Sequence, residues 1–235
     1  MSEHEQIIPL WAREIAVFDT ETTGLAVETT RIVTAHISVL DESGESHRAR
    51  DWLINPGIEI PERASAVHGV TTEYARENGS DPEGAIYDIV THLQTLFDEG
   101  IAVVAYNAAY DFSILNREAL RYGLAPLENP RPIVDPMVID KFVDRYRQGK
   151  RTLSAATIHY GITLDNAHDA SADAIAAGRV AQALARKFPD QLNMSALELH
   201  DKQIGWSAEQ AASFAEFLRK KGEKPFRDDG LWPVR

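Results

Sequence analysis

The chain has 235 residues, of which 44% are hydrophobic and 26% charged, and it carries a net charge of −12 and no cysteine. This composition is typical of a soluble globular protein with a single core, and it excludes disulfides and thiolate metal sites. A strongly acidic chain is poorly suited to coating a phosphate backbone, which argues against a passive DNA-binding role. No apolar segment is long enough to span a membrane, and the first residues lack a signal-peptide pattern. We therefore expect a cytoplasmic protein without a membrane partner.

The first predicted strand carries two acidic residues at its end. Residues 15–18 form an apolar run that is typical of a buried strand, and Asp19 and Glu21 follow at positions i and i+2. Because alternate residues of a strand share a face, these carboxylates would lie roughly 6–7 Å apart beside the core. Like charges in such a setting need a counter-charge, and a hard divalent cation is one candidate. A strand end whose acids simply reach solvent is the alternative at this point.

The rest of the sequence predicts alternating strands and helices. Residues 31–40 and 46–54, separated by turn-forming residues, predict two strands that form an antiparallel hairpin beside the first. We expect a helix at about 82–97, a buried strand at 101–105 and a short strand at 132–136. Further helices are expected to end near residues 122, 145, 160, 187 and 222. For the helices that end near 160 and 187, Thr152 and Asp169 are the predicted N-caps.

These elements predict an α/β protein with a mixed five-stranded sheet and helices on both faces. We expect residues 1–13 to form a weakly ordered lead-in and residues 14–190 to form the main domain. Residues 191–235 would form a C-terminal helical extension packed on or next to it. In this extension, the capping-box pattern at Ser207 predicts the start of a helix that ends at Gly222.

Acidic residues also occur at the predicted starts of two helices, and in a sheet of this type those positions can converge with the first strand. Asp19, Glu21, Asp111 and Asp173 would then surround one cleft. Four such carboxylates are the ligand set for two magnesium or manganese ions about 3.5–4 Å apart, which clamp the attacking and leaving oxygens at phosphorus. His168 precedes the helix that carries Asp173 and could take a proton from the attacking water.

Three segments of the sequence resemble the motifs of a known enzyme family. Residues 19–25 (DTETTGL), 107–111 (NAAYD) and 168–173 (HDASAD) follow one another at the spacing found in the DEDDh branch of the 3′–5′ exonucleases. Within this DnaQ-like branch, the chain is most similar to the proofreading epsilon subunits of bacterial DNA polymerase III. The resemblance covers about residues 14–187 and implies a ribonuclease-H-like fold. It also implies metal-dependent hydrolysis at single-stranded 3′ ends, which releases nucleoside 5′-monophosphates.

The resemblance implies a role for each matching acidic residue and for the histidine. Asp19, Glu21 and Asp173 would bind the first of two Mg²⁺ or Mn²⁺ ions. Asp19 would also bridge to the second ion, which Asp111 would hold largely through water. His168 would be the general base.

The resemblance further implies contacts with the substrate. The backbone around Thr20, together with Leu25, would hold the 3′-terminal nucleotide, and His68 would line its base or sugar. The second motif adds Asn107, and it adds Tyr110 at a position where an aromatic ring commonly packs between the last two bases. For His68, a purely structural role in ordering a loop is equally compatible with the sequence.

Two other functions remain open at the level of sequence. An RNA exonuclease of the oligoribonuclease or tRNA-trimming kind would use the same chemistry, although such chains tend to carry Met-Thr where this one has Thr22-Thr23, which favours DNA. A non-catalytic module associated with a polymerase would retain the fold without the reaction. The presence of all four acids and the histidine argues against that module.

Two further segments bear on binding partners. The basic cluster at residues 145–151 is either a solvated face or part of the path of an incoming strand. Residues 191–194 (QLNM) weakly resemble a sliding-clamp-binding peptide but lack its terminal hydrophobic pair. We therefore expect the main binding partner to be the single-stranded 3′ end of DNA or RNA. Contact with a DNA polymerase or a sliding clamp is a lesser expectation.

Overall fold

The computed structural model describes residues 8–164, 167–224 and 230–235. Within these ranges the chain forms one five-stranded sheet whose strands are β1 (Ile15–Thr22), β2 (Ile32–Leu40), β3 (Ser46–Leu53), β4 (Ala102–Val104) and β5 (Ile133–Val134). The strand order is β3-β2-β1-β4-β5. The first three strands are antiparallel neighbours, whereas β4 runs parallel to β1 and β5 runs parallel to β4. The predicted mixed sheet is confirmed.

Helices connect and cover the strands. In chain order they are α1 (Glu62–His68), α2 (Thr72–Asn78), α3 (Pro82–Asp98), α4 (Ala108–Arg121), α5 (Pro136–Val143), α6 (Leu153–Tyr160), α7 (Ala170–Lys187), α8 (Pro189–Leu192) and α9 (Ala196–Lys220). The predicted N-caps are confirmed, because the Thr152 side chain accepts from the amide of Ala155 and Asp169 accepts from that of Ala172. The short helices α1 and α2 lie in a segment for which the pattern predicted no element.

The two faces of the sheet build two hydrophobic layers. In β1, Ala16 and Phe18 pack into the layer with α3 and α4, while Ile15 and Val17 pack into the layer with α7. This alternation explains why the strand is apolar throughout its first half. Helix α7 lies unusually close to the sheet at Gly178, where a Cβ atom would come within 2.5 Å of side-chain carbons of β1 and β2. Its first turn therefore has a fixed position above the end of β1.

The C-terminal helix differs from its prediction. Helix α9 begins after Ser195, whose side chain accepts from the amide of Glu198, so the predicted start at Ser207 is wrong and Ser207 lies inside the helix. The physical reason is a tertiary contact made by the first turns. The imidazole of His200 accepts from the amide of Ile133, and Gln203 accepts from the amide of Asp135. These side chains bond to backbone groups at the edge of β5, beside which no further strand lies in the described residues.

The lead-in is more ordered than expected over the residues that the structure describes. Leu10–Ala12 forms a 3₁₀ turn, and Ile8 and Trp11 are buried. The indole of Trp11 donates to the carbonyl of Leu192 at 3.0 Å. The expectation of weak order is therefore wrong for residues 8–13, because these apolar side chains complete the layer under α7; residues 1–7 lie outside the described residues.

Two further expectations can be placed on this fold. Leu192, in the segment that resembles a clamp-binding peptide, is fully buried, so its side chain is not presented to a partner. None of the helices in the described ranges combines the length and the apolar character that crossing a bilayer requires. The division into lead-in, main domain and extension stays a prediction.

Candidate active site

Two distant segments of the chain meet at the carboxyl end of β1. Glu21, at the end of this strand, approaches His168 and Asp173 at the start of α7, and one ligand atom from each of the three lies within 4.8 Å of the others. His168 adopts a left-handed backbone conformation with φ of 72°. Its amide donates to Asp173 Oδ2 at 3.3 Å, which ties the turn before α7 to the first turn of the helix.

The first turn of α4 brings a further carboxylate to β1. The buried Asp111 accepts two hydrogen bonds at Oδ1, from the Thr20 hydroxyl at 2.7 Å and from the Thr20 amide at 3.2 Å. These bonds hold Asp111 beside Asp19 and Glu21, which flank Thr20 in the strand. The sequence did not indicate that Thr20 would bond to Asp111, because this contact depends on where α4 docks on the sheet.

The pKa values show that the acids share one electrostatic environment. Burial, followed by the charges of Asp111, Glu21 and Asp173, raises the pKa of Asp19 well above its usual range. Burial and the charges of Asp173 and Asp111 raise the pKa of Glu21 to about 8. Burial raises the pKa of Asp111 to about 7 despite its bonds from Thr20. The structure thus brings together all four acids that the sequence singled out.

The hydrogen bonding of Asp173 also suits a metal ligand. Its Oδ1 atom is buried and accepts no hydrogen bond within the described part of the chain. Burial raises its pKa, although the amide and the imidazole of His168 oppose this shift. Among the ion pairs of the described residues, none involves Asp19, Glu21, Asp111 or Asp173. Buried carboxylates without a basic partner suit a bound divalent cation.

A fifth acid joins this cluster. Asp169 caps α7, and its charge also raises the pKa of both Asp19 and Glu21. The sequence predicted Asp169 only as a helix cap. Its place in the motif between His168 and Asp173 was the available signal that it would lie near the other acids.

The loop after β1 is fixed by hydroxyl groups. The Gly24 carbonyl, Thr22 Oγ1 and the Tyr110 hydroxyl lie within hydrogen-bonding distance of one another, with Thr22 Oγ1 at 2.8 Å from the carbonyl and 2.7 Å from the Tyr110 hydroxyl, and the two hydroxyl protons serve two of these three contacts. Leu25, next to this anchor, is 86% exposed. Tyr110 of α4 therefore anchors the loop that carries Leu25, and Asp111, the next residue of α4, is bonded to Thr20.

His68 lines a groove that leads to the acids. This groove has a volume of about 350 Å³, and its lining includes Glu21, His68 and His168. His68 Nδ1 accepts from the amide of Val70 at 3.2 Å, which orders the turn after α1. Its Nε2 atom is buried, and the imidazole lies close to the backbone of Thr22 at the end of β1. Burial lowers the pKa of this imidazole, so the neutral form is favoured.

Asn107 marks the turn between β4 and α4, with a left-handed φ of 64°. Its own side chain does not cap α4; instead the buried Asp135 accepts from the amides of Asn107 and Ala108 at 3.1 and 2.9 Å. Sequence reasoning missed Asp135. The available signal was a carboxylate placed directly after the apolar pair of β5 and before a proline.

The basic cluster is divided between two roles. Arg147 and Arg151 both pair with the fully buried Asp140, at 2.7 and 2.8 Å. Burial pushes the pKa of Asp140 upward, but the bonds from Arg147, Tyr160 and Arg151 outweigh it and hold the pKa below its usual value. The expectation of a solvated face is therefore wrong for Arg147 and Arg151, since Asp140 needs their charge, whereas Arg145 is exposed.

Comparison with known proteins places this chain in a family. The family model for RNase T exonucleases matches residues 16–181. A PolC-type DNA polymerase III of Pediococcus pentosaceus is 25% identical over 201 residues, which are 86% of this chain and 13% of that protein. A DNA polymerase III subunit epsilon-like protein of Rhodobacter capsulatus is 32% identical over 187 residues, covering 77% of this chain and 24% of that protein. The chain thus spans a quarter or less of the length of these relatives.

Solved structures show the same fold. A structure of exonuclease I matches with a TM-score of 0.67 and 17% identity, over 86% of this chain and 45% of that one. The complex of E. coli exonuclease I with a dT13 oligonucleotide matches with a TM-score of 0.66 and 18% identity, over 77% of this chain and 42% of that one. These likenesses confirm the predicted ribonuclease-H-like fold. The family match, which covers most of the chain, establishes that it belongs to the RNase T family of exonucleases.

Proposed function

We propose that the protein is a metal-dependent 3′–5′ exonuclease that removes nucleoside 5′-monophosphates from single-stranded 3′ ends, with DNA as its substrate. The observation that supports this most is the meeting of Glu21, His168 and Asp173 within 4.8 Å, beside the carboxylates of Asp19 and Asp111. No lysine or arginine of the described residues pairs with these acids, so the site as folded is short of positive charge.

The acids fit two divalent cations, Mg²⁺ or Mn²⁺. Asp19, Glu21 and Asp173 would hold one ion, and Asp19 with Asp111 would hold the other. When bound, these ions supply charge neutralisation and Lewis-acid stabilisation of the attacking and leaving oxygens at phosphorus. Asp173 Oδ1, which is buried and has no hydrogen-bond partner among the described residues, is well suited to such a ligand.

The remaining residues would bind substrate and move the proton. His168 would take a proton from the attacking water, since an imidazole can accept one near neutral pH. The loop anchored at the Gly24 carbonyl would hold the terminal nucleotide through Leu25 and the backbone around Thr20. Tyr110 would pack against the last bases, while its hydroxyl keeps the loop in place.

Two findings favour DNA over RNA. The relatives in the comparison are named as DNA polymerase III proteins, and a structural neighbour is a complex of exonuclease I with a DNA oligonucleotide. The Thr22-Thr23 pair of the first motif agrees with this. An association with a polymerase is suggested by the same relatives, and co-purification with a replicative polymerase would test it.

The test is digestion of 5′-labelled DNA and RNA oligonucleotides of matched sequence with Mg²⁺, Mn²⁺ or chelator. We expect DNA to shorten from the 3′ end with either metal, no reaction with chelator, and mononucleotide products. Asp173→Asn should abolish this activity, whereas Asp190→Asn, which removes an exposed carboxylate of α8, should leave it unchanged. Full activity of purified Asp173→Asn would contradict the mechanism, faster digestion of RNA would contradict the DNA assignment, and binding without digestion would indicate a non-catalytic module.

A further inference from the structure

We propose that a second groove, between α5 and α9, binds the part of the single strand that lies 5′ of the terminal nucleotides. This inference rests on the proposed function and names where the rest of its substrate runs. The groove has a volume of about 760 Å³, which is within the range of ligand clefts. One of its walls is α9, which lies beyond the residues 16–181 that match the family model.

The groove begins beside the acidic site. Asn107 and Ala109, at the start of α4, and Asp135, just after β5, all belong to its lining. They follow β4 and β5, whose carboxyl ends lie next to that of β1 because the three strands are parallel neighbours. Adjacent strands are about 4.8 Å apart, so the groove starts roughly 5–10 Å from the acids on β1. A strand whose 3′ end reaches those acids can continue into it.

The lining offers aromatic surface to unpaired bases. Phe142 of α5 and Trp206 of α9 stack on each other across the two helices, with ring centroids 3.9 Å apart and planes 10° apart, so the faces between them are not open to a base. Farther along α9, Phe214 and Phe217 are 51% and 49% exposed and face the same groove. Single-stranded nucleic acid binds without sequence preference by stacking bases on rings of this kind.

The lining also offers positive charge in an otherwise acidic chain. Lys141 and Arg145 lie along the groove, with Asp135 at its start and Glu209 on the opposite helix; Arg151 also lines it, but its charge is paired with Asp140. Arg151 is held by Asp140, which fixes the loop that carries Arg145. The guanidinium of Arg145 is exposed, and no ion pair among the described residues engages it. Charge and aromatic rings on a track that starts at the acids suit a phosphate backbone with unstacked bases.

The test compares Arg145→Ala and Phe217→Ala with Arg219→Ala, which removes an exposed arginine of α9 outside the groove. Digestion of oligothymidylates of about four and about 16 nucleotides gives kcat and KM for each length. We expect the two groove variants to raise KM for the long oligonucleotide about five-fold or more. Their kcat values for both oligonucleotides, and their KM for the short oligonucleotide, should not change. Arg145→Ala should also reduce the slope of log affinity against log salt by about 0.7, the value for one lost phosphate contact on a single strand.

Fluorescence anisotropy of the long oligonucleotide in chelator separates failure of this inference from failure of the proposed function. If wild type digests DNA normally but the groove variants match Arg219→Ala in both KM and anisotropy, the groove does not bind the strand. If wild type digests nothing yet binds the long oligonucleotide through Arg145 and Phe217, the groove stands and the exonuclease proposal falls. A dimer in sedimentation that Phe217→Ala dissociates without changing KM would assign the groove to a second copy and overturn the inference.

Discussion

Glu21 has a pKa raised to about 8 and Asp111 one raised to about 7, because Glu21 is partly buried, Asp111 is fully buried and both lie near other acids. Near neutral pH and without metal, these carboxyl groups would therefore be partly protonated, whereas an exposed carboxyl group is ionised. Bound cations would displace these protons, since a carboxylate must be ionised to be a good ligand. Protons and metal ions thus compete for the same oxygens.

The raised pKa of Glu21 predicts how the stability of the metal-free protein depends on pH. An unfolded glutamate titrates near 4.5, so between that pH and about 8 the folded protein binds the extra proton on Glu21. The contribution of Glu21 to stability is therefore greatest below pH 4.5 and is lost as pH rises through about 8. Denaturant unfolding in chelator should show wild type losing stability relative to Glu21→Gln across this interval. If the difference in unfolding free energy between wild type and Glu21→Gln stays constant from pH 5 to 8.5, the pKa of Glu21 is not raised by folding.

A substitution at Thr20 tests whether its hydrogen bonds to Asp111 hold that carboxylate in position for metal binding. Thr20→Val removes the 2.7 Å hydroxyl bond to Asp111 Oδ1 while keeping the shape of the side chain. Groups that orient metal ligands typically contribute 10–100-fold to metal affinity or activity, so we expect Mn²⁺ affinity to fall by about 10-fold or more. Calorimetric titration measures this. Thr95→Val, on the exposed side of α3, is the control, and equal affinities of the two variants would contradict the role of Thr20.

Among the secondary-structure elements, α7 has the most influence on the geometry of the site. Its first turn carries Asp169 and Asp173, and His168 precedes it. The helix is held against β1 and β2 at Gly178, where no side chain fits. A change at this contact should therefore move the catalytic end of the helix, although Gly178 itself touches no site residue.

Gly178→Ala tests this coupling. In an open helix, alanine is favoured over glycine, but here the new Cβ would lie 2.5 Å from carbons of Leu40 and Val17. We expect a loss of about 1–3 kcal/mol in unfolding free energy, as for other overpacked sites, and a lower kcat. Gly205→Ala in α9, where a Cβ meets open space, should instead stabilise by roughly 0.5–1 kcal/mol. Stabilisation by both substitutions in urea unfolding would contradict the close packing of α7.

The elements also show what the sequence could and could not predict. Periodicity and caps located β1, α3 and α7, because local pattern and tertiary packing agree there. The predicted start of α9 was wrong. Ser207 offers a local capping box, whereas the contacts of His200 and Gln203 with β5 extend the helix toward its N-terminus. The bond between Thr20 and Asp111 joins residues 91 positions apart and leaves no local trace in the sequence.

At the scale of the molecule, the acidic surplus and the nucleic-acid substrate are compatible. The net charge of −12 opposes nonspecific binding of a phosphate backbone, while cations at the acidic site and basic residues in the groove would make binding local. The family match ends at residue 181, and α9, which lies beyond it, forms one wall of the groove. The chain would then combine the catalytic sheet of the family with a binding track that is formed partly outside the matched residues.

The central claim is that the fold gathers acids from β1, α4 and α7 into one pocket that binds paired cations. Its most direct test is calorimetric titration of Mn²⁺ into metal-free wild type, Asp173→Asn and Asp190→Asn. We predict two ions per chain for wild type and for Asp190→Asn, and at least about 10-fold weaker uptake for Asp173→Asn. A wild-type protein that takes up no Mn²⁺, or an Asp173→Asn variant that binds it as wild type does, would contradict the claim.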